Sequence, residues 1–410
     1  MIVKNESHVI VDTLKKLLNK IRLDYWVICD TGSTDITKQC IRTFFQDRGI
    51  SGELIDSEWK DFAHNRTVAL QSAFGKTDYV LMWDADDEIV GNFVLPTPLD
   101  VDWYAFQFGT TSTFIRPQLF KNSLRWRYKS VLHEYAECVD KAQPMKLVTG
   151  AYHCVSGRSG FRNLDPNKYL HDARILEKAY YEALETKDPL YTRYAFYAAR
   201  SYINCKHYEL ALEFCKKVLS HDNWSEEKYC ACIDAYSVYK ALGKEDEGLH
   251  FLVKAHTFNT KRVEAILKLI VYYACCGEPE IAYNYYKWIQ NYYEQEYGPE
   301  KGKDWLFVNR VDHEFMLPYY MIIVADKTGR KEIGVKMYEF IVRFQQTNVS
   351  EWHINNVIFN AQFFVKHLPK TPEFIQRFSA YIDAVKRSGK AISVDSQSIV
   401  NKIIAQCQDI

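Results

Sequence analysis

The stretch Tyr79-Val80-Leu81-Met82-Trp83-Asp84-Ala85-Asp86-Asp87-Glu88 decides how this 410-residue chain is read. Its first half is a continuous apolar run, the pattern of a strand covered on both faces of a parallel sheet. Its second half places four carboxylates within five residues. Such a group repels itself unless a cation joins it, and Mg²⁺ and Mn²⁺ are the hard cations that take carboxylate and phosphate oxygens together. Alternate residues of an extended chain share a side, so Asp84 and Asp86 can face one ligand. The plain alternative is an acidic loop cap held by water.

Toward the N-terminus the same pattern occurs once more. The apolar run Tyr25-Trp26-Val27-Ile28-Cys29 ends at Asp30 and is followed by Thr31-Gly32-Ser33-Thr34-Asp35. Gly32 permits a tight turn, and Ser33 or Thr34 is expected to cap the next helix. Val9, Ile10, Leu14, Leu17, Leu18 and Ile21 carry helical spacing, residues 61–74 read as a further helix, and Ile2-Val3 and Leu54-Ile55 read as short strands. The sum is a βαβαβ unit with parallel strands. Ligands of such sheets bind at the carboxyl ends of the strands, where both strong runs end in aspartate. A helix N-terminus there favours a diphosphate, and Asp30 is placed to accept bonds from a base or ribose.

Toward the C-terminus come Arg116-Pro117-Gln118-Leu119-Phe120 and the strand-like Trp126-Arg127-Tyr128-Lys129. His133-Glu134, Gly150-Ala151-Tyr152-His153 and the glycine-containing loop Ser156-Gly157-Arg158-Ser159-Gly160-Phe161-Arg162 follow. From about residue 165 the pattern is helical throughout. Turns at Lys206-His207, Lys244-Glu245 and Gly277-Glu278 recur at about 37 and 34 residues, near the tetratricopeptide period. The expected division is therefore 1–164, an α/β domain, and 165–410, helical hairpins stacked as a tetratricopeptide-like solenoid.

Bulk composition narrows the partners. Lys+Arg and Asp+Glu both number 52, so no global basic field draws the chain to nucleic acid or to an anionic membrane. The 11 cysteines are scattered without a CxxC pattern, which suits a reducing compartment, and a cytoplasmic location is expected. The N-terminus carries no basic segment ahead of an apolar core, so no signal peptide is expected, and no apolar run is long enough to span a bilayer.

Four motifs, taken in order, resemble the inverting family-2 glycosyltransferases: Val3-Lys4-Asn5-Glu6, Asp30 to Asp35, Trp59-Lys60-Asp61-Phe62-Ala63-His64-Asn65-Arg66, and Asp84-Ala85-Asp86-Asp87. The likeness covers roughly the first 160 residues and extends to a subgroup with tetratricopeptide-like helices after the catalytic domain. It implies a GT-A fold, a nucleotide-sugar donor (a UDP-sugar) and Mn²⁺ or Mg²⁺. Position by position, it sets Lys4, Asn5 and Glu6 beside the nucleotide and Asp30 on the base, with uracil expected. Arg66 reaches the nucleotide or its phosphates, Asp84 the ribose or metal, and Asp86 the metal. His133 or His153 is the candidate to complete the metal shell, with His153, near the end of the domain, placed for that role. Members of the family carry several residues ahead of the first motif, whereas here Met1 falls almost inside it. A short first strand is expected, either from a truncated start or tolerated by the sheet.

Inverting transfer needs one base to take the acceptor's proton, commonly a carboxylate just after a strand; Glu134 is the candidate. Arg158 and Arg162 are candidates to close over the diphosphate, since Arg suits phosphate geometry, with a plain interdomain linker as the alternative. The helical repeats are expected to present a broad surface to a glycan or protein acceptor, or to a protein partner. A nucleotidyltransferase, a retaining transferase and a non-catalytic scaffold are the rival readings.

Overall fold

Both faces of the strand Trp26–Asp30 are covered, which is why its sequence is apolar without alternation. Ile28 packs into one core with Ile10, Leu14 and Leu17 of a first helix and Ile41, Phe44 and Phe45 of a second. Cys29, its neighbour, points into another core with Ala69, Leu70, Met82, Phe120 and Trp126. The computed structural model describes residues 1–110, 113–298, 301–302 and 304–405. They divide into two compact units, Met1–Asn223 and Trp224–Ile410.

In the first unit β1 (Ile2–Val3), β2 (Trp26–Asp30) and β3 (Gly52–Asp56) form a parallel sheet in that order. The helices α1 (Ile10–Leu18), α2 (Thr37–Gln46) and α3 (Phe62–Ala73) alternate with them. A second sheet has the order β4-β7-β6-β11-β5, with β10 beside β6. Its strands are β4 (Tyr79–Leu81), β5 (Glu88–Gly91), β6 (Trp103–Phe108), β7 (Phe114–Lys121), β10 (Lys146–Leu147) and β11 (Tyr152–Val155). A hairpin of β8 (Trp126–Lys129) and β9 (Tyr135–Cys138) carries Ser130 to Glu134 in its turn. The expectation of one parallel run is corrected here. β4 pairs antiparallel with β7, and among the described residues it bonds to no strand of the first sheet. With only two residues, β1 pairs with Cys29 and Asp30 at the carboxyl end of β2 and offers β4 no ladder.

The first unit ends in three helices, α4 (Lys168–Thr186), α5 (Tyr191–Asn204) and α6 (Tyr208–Ser220). Helical structure begins close to the expected boundary of 164/165, but the compact unit runs on to Asn223. The reason is contact with the hairpin: the Tyr197 ring stacks on His133 at 3.9 Å, and Arg193 Nη2 donates to the His133 carbonyl at 2.7 Å.

The second unit is helical. It contains α7 (Ser225–Ala241), α8 (Glu245–Phe258), α9 (Glu264–Cys275), α10 (Pro279–Gln295), α11 (Leu317–Lys327) and α12 (Lys331–Phe344), followed by α13 (Glu351–Asn360), α14 (Pro372–Arg387) and α15 (Val394–Ala405). The pairs α7/α8, α9/α10 and α11/α12 are hairpins. Each turns at a glycine with positive φ, Gly243, Gly277 or Gly329 at 72°, 80° and 72°, the conformation that ends a helix at least cost for a residue without Cβ. The chain is thus an α/β region followed by helical hairpins. No helix among the described residues is long and apolar enough to cross a membrane.

Candidate active site

Asp30 closes β2 and is almost fully buried, at 1% exposure. Its Oδ1 accepts from the backbone of Gly32 at 3.0 Å and Ser33 at 2.8 Å. Its Oδ2 is buried with no hydrogen-bond partner, a costly state for a carboxylate oxygen unless a ligand supplies the donor. Gly32, at φ 100°, allows the turn that brings those amides round. Ser33 and Thr34 do not cap α2 as expected. Ser33 Oγ accepts from Asn5 N at 2.9 Å, and Thr34 N donates to Asn5 Oδ1 at 2.8 Å. The N-cap of α2 is Ile36, which has no side-chain cap, and Asp35 just ahead of it accepts from Thr37 N at 3.0 Å. Asn5, at φ 56°, therefore ties the first two loops together, in a conformation that asparagine tolerates. Lys4 is exposed at the same strand end.

An alternating chain of charges runs beside this turn. Arg66, on α3, donates from Nη2 to Asp84 Oδ1 at 2.5 Å, and its Nε lies 2.6 Å from Glu134 Oε1, an ion pair without hydrogen-bond alignment. Arg116, on β7, reaches Asp84 Oδ2 at 3.2 Å and also pairs with Asp87. Against the cost of burial, Arg66 and Arg116 hold the Asp84 carboxyl well below its usual range. Burial, then the neighbouring Asp84 charge, pushes Asp87 upward. Arg66, Asp84 and Glu134 keep side-chain exposures of 11%, 23% and 13%, so solvent still reaches the group. His133, at φ 53°, is exposed in the hairpin turn, while surrounding protein, the Tyr197 ring among it, desolvates the imidazole. This desolvation, then Arg193, Arg162, Arg200 and Lys168, pushes its imidazole down, which keeps it neutral.

The segment 157–161 lies across the acidic motif as a strap. Gly160 N donates to Asp86 Oδ2 at 2.9 Å and Gly157 N to Asp87 Oδ1 at 3.3 Å. Phe161 N donates to both carboxylate oxygens of Glu6 at 3.3 and 3.2 Å, and His8 Nε2 bonds to the Ser159 carbonyl at 2.7 Å. A Cβ on Gly157 would lie 2.0 Å from the Asp86 carbonyl oxygen, so only glycine permits this approach. Burial, and then the Asp86 charge, pushes the Glu6 carboxyl up to about 7.

The residues expected to bind metal are not gathered in one place. Among the described residues no three His, Cys, Asp or Glu side chains converge on a metal-sized site. Both oxygens of Asp84 face arginines. His153 sits in register with Val90 on the β11/β5 ladder, between Tyr152 and Cys154, which face the core. Asp86 alone fits a cation that keeps most of its shell as phosphate and water oxygens, as Mg²⁺ commonly does. Arg158 is exposed on the strap, and Arg162 pairs with Asp172 of α4 while stacking 4.7 Å over Phe62. Two other acids of the hairpin region are held in ion pairs: Glu137 with Arg127 and Lys129, and Asp140 with Arg125. Sequence reasoning missed Arg116. The run Arg116-Pro117-Gln118-Leu119-Phe120 stands in the sequence without a role, and it says nothing of the reach of Arg116 to Asp84 and Asp87.

Residues 1–97 match the model of Glycosyl transferase family 2. That span holds Lys4, Asn5, Glu6, Asp30, Arg66, Asp84 and Asp86, and it stops short of Glu134, His153, Arg158 and Arg162. The match supports glycosyltransferase activity in general. No curated protein matches the chain. Among solved structures it is similar to one described as "MamA MSR-1 C2", at 13% identity and a TM-score of 0.29, over 48% of this chain and 99% of that one. A likeness that loose carries no argument about either unit.

Proposed function

We propose that the chain transfers a sugar from a nucleotide-sugar donor, a UDP-sugar, to an acceptor hydroxyl with inversion at the anomeric carbon. The observation that carries this reading is the chain Glu134–Arg66–Asp84, which joins the candidate base to the acidic motif through one guanidinium. Asp30 Oδ2 is the acceptor for the base of the nucleotide, a role its buried, unpartnered state supports. Asp86 is the protein ligand of Mg²⁺ or Mn²⁺, which would supply charge to the diphosphate. Arg66 acts as a positioning residue: its guanidinium holds Asp84 and Glu134 side by side, and Glu134 is the general base. In the transfer, the acceptor oxygen bonds to the anomeric carbon, the bond from that carbon to the phosphate oxygen breaks, and the acceptor proton passes to Glu134. The nucleoside diphosphate leaves with the bonding electron pair.

The acceptor is a glycan or a protein. The helical hairpins of the second unit are the surface for it or for a protein partner. A cytoplasmic site of action goes with the scattered thiols, several of which are buried in helices as small hydrophobes. A thermal-shift series of nucleotide sugars, each with and without Mn²⁺, tests the reading. A UDP-sugar with Mn²⁺ is expected to raise the melting temperature, because a ligand of the native state stabilises it by mass action. If no nucleotide sugar shifts it, the donor class is wrong.

A further inference from the structure

The strap leads straight into α4, a helix of 19 residues whose N-cap residue Asn167 makes no side-chain cap. Its first residue is Lys168. The Lys168 ammonium bonds to a neutral partner, Asn163 Oδ1, at 2.5 Å, and among the described residues it has no carboxylate partner. Arg158, on the strap, is exposed and has no ion pair among the described residues. Arg162 lies between them but is already neutralised by Asp172. Two cations without a direct ion pair therefore lie one on the strap and one at the first residue of a long helix, whose own N-terminal dipole also favours an anion. They sit next to Asp86: Gly160 of the strap bonds to that carboxylate directly, and Lys168 feels its charge. Burial, followed by the repulsion of Arg162, pushes the Lys168 ammonium below its usual range, with Arg158 adding to the effect. A bound anion would relieve that repulsion.

We propose that Lys168 and Arg158 form a phosphate clamp that takes the oxyanions of the donor's diphosphate next to Asp86. This rests on the nucleotide-sugar reading of the site and extends it. Cationic charge for the leaving group comes from the strap and α4, outside the residues 1–97 that match the family. The strap amides that now hold Asp86 and Glu6 exchange those carboxylates for the ligand as it enters, and Arg158 moves with them.

Calorimetric titration of the full chain with inorganic pyrophosphate, and separately with UDP, both in Mg²⁺, tests the clamp. Lys168→Gln is expected to weaken both ligands by about tenfold, the scale of one charge-assisted hydrogen bond, and Arg158→Gln by about threefold. Lys168→Arg keeps the charge and is expected to restore most of the affinity. Arg158 is exposed, so its variant reports on the clamp even if Lys168→Gln disturbs folding. Pyrophosphate binding that is absent in the parent, or equal in the parent and both glutamine variants, overturns the clamp. Lys168-dependent pyrophosphate binding with no gain for UDP keeps the clamp and removes the nucleotide. Tight UDP binding that neither variant weakens keeps the nucleotide and removes the clamp.

Discussion

Each unit of this protein holds an arginine between two carboxylates, and the two arrangements differ in access. In the first unit Arg66 joins Asp84 and Glu134, with side-chain exposures of 11%, 23% and 13%. In the second, Arg262 joins Glu226 at 2.7 Å and Glu264 at 2.6 Å, with exposures of 3%, 5% and 6%. The second group is also enclosed by hydrogen bonds. Tyr229 and His313 approach Glu264, Asn259 donates to Glu226 at 2.7 Å, and the Leu306 backbone bonds to both Arg262 and Glu226. Against burial, His313 and then Arg262 hold the Glu264 carboxyl far below its usual range. The lesson is that one ionic motif serves two ends. Enclosed on all sides, it fixes helices α7 and α9 and the 305–306 segment in one arrangement. Left partly exposed, as at Arg66, Asp84 and Glu134, it stays within reach of a ligand.

Glu134→Gln breaks the comparison at its active end. The variant keeps its shape but cannot accept a proton, so sugar transfer is expected to fall by about 10²–10⁴. Donor affinity by titration should change little. Arg262→Ala breaks it at the structural end. It leaves two buried carboxylates without their cation, and unfolding free energy in denaturant is expected to drop by about 3–5 kcal/mol, with donor affinity unaffected. If both variants lose stability and neither loses turnover, the two networks are of one kind.

Smaller changes sharpen the contrast. Asp86→Asn is expected to weaken Mn²⁺-dependent nucleotide binding by about tenfold, since a hard cation loses an anionic ligand. Equal affinity in calorimetry would remove Asp86 from the metal's shell. Glu6→Gln gives the smallest effect. The folded-state value of about 7 lies above the ordinary 4.5, so the folded protein holds an extra proton between those values. Stability is therefore fully present below about 4.5 and is lost as pH rises through 7. The glutamine variant is expected to flatten that slope and to gain less than about 1 kcal/mol at pH 8, solvent screening considered. Melting curves across pH 4–8 read it directly, and an unchanged slope would show that Glu6 is not its source.

The sequence showed the elements better than their pairing. The apolar runs at Tyr25–Cys29 and Tyr79–Trp83 and the turns near residues 206, 244 and 277 all mark real structure, because burial periodicity and glycine turns are local signals. The antiparallel partner of β4 was not visible, since pairing depends on residues nearly forty positions away. The site was legible where a motif and its strand end coincide, at Asp30 and at Asp84 to Asp87. It was opaque where the contact is long-range, as for Arg116 with Asp87, the strap on Asp86, and Tyr197 under His133. Arg262, just before α9, carried no sign of its partner Glu226, which lies 36 positions away on α7. The contact of α5 with His133 also changes how a dissection should be made. A chain ended near residue 165 would strip Tyr197 and Arg193 from the loop that carries Glu134, whereas one ended after Asn223 retains them.

The account rests most heavily on which bond of the donor is broken. Phosphorus NMR of a UDP-sugar incubated with the full chain and Mg²⁺, with water or a trial sugar as acceptor, reads this in one spectrum. Cleavage at the anomeric carbon to phosphate oxygen bond gives the two resonances of UDP, and Glu134→Gln is expected to slow their growth. Resonances of UMP with a sugar phosphate, or UDP formed at equal rates by parent and variant, would contradict it.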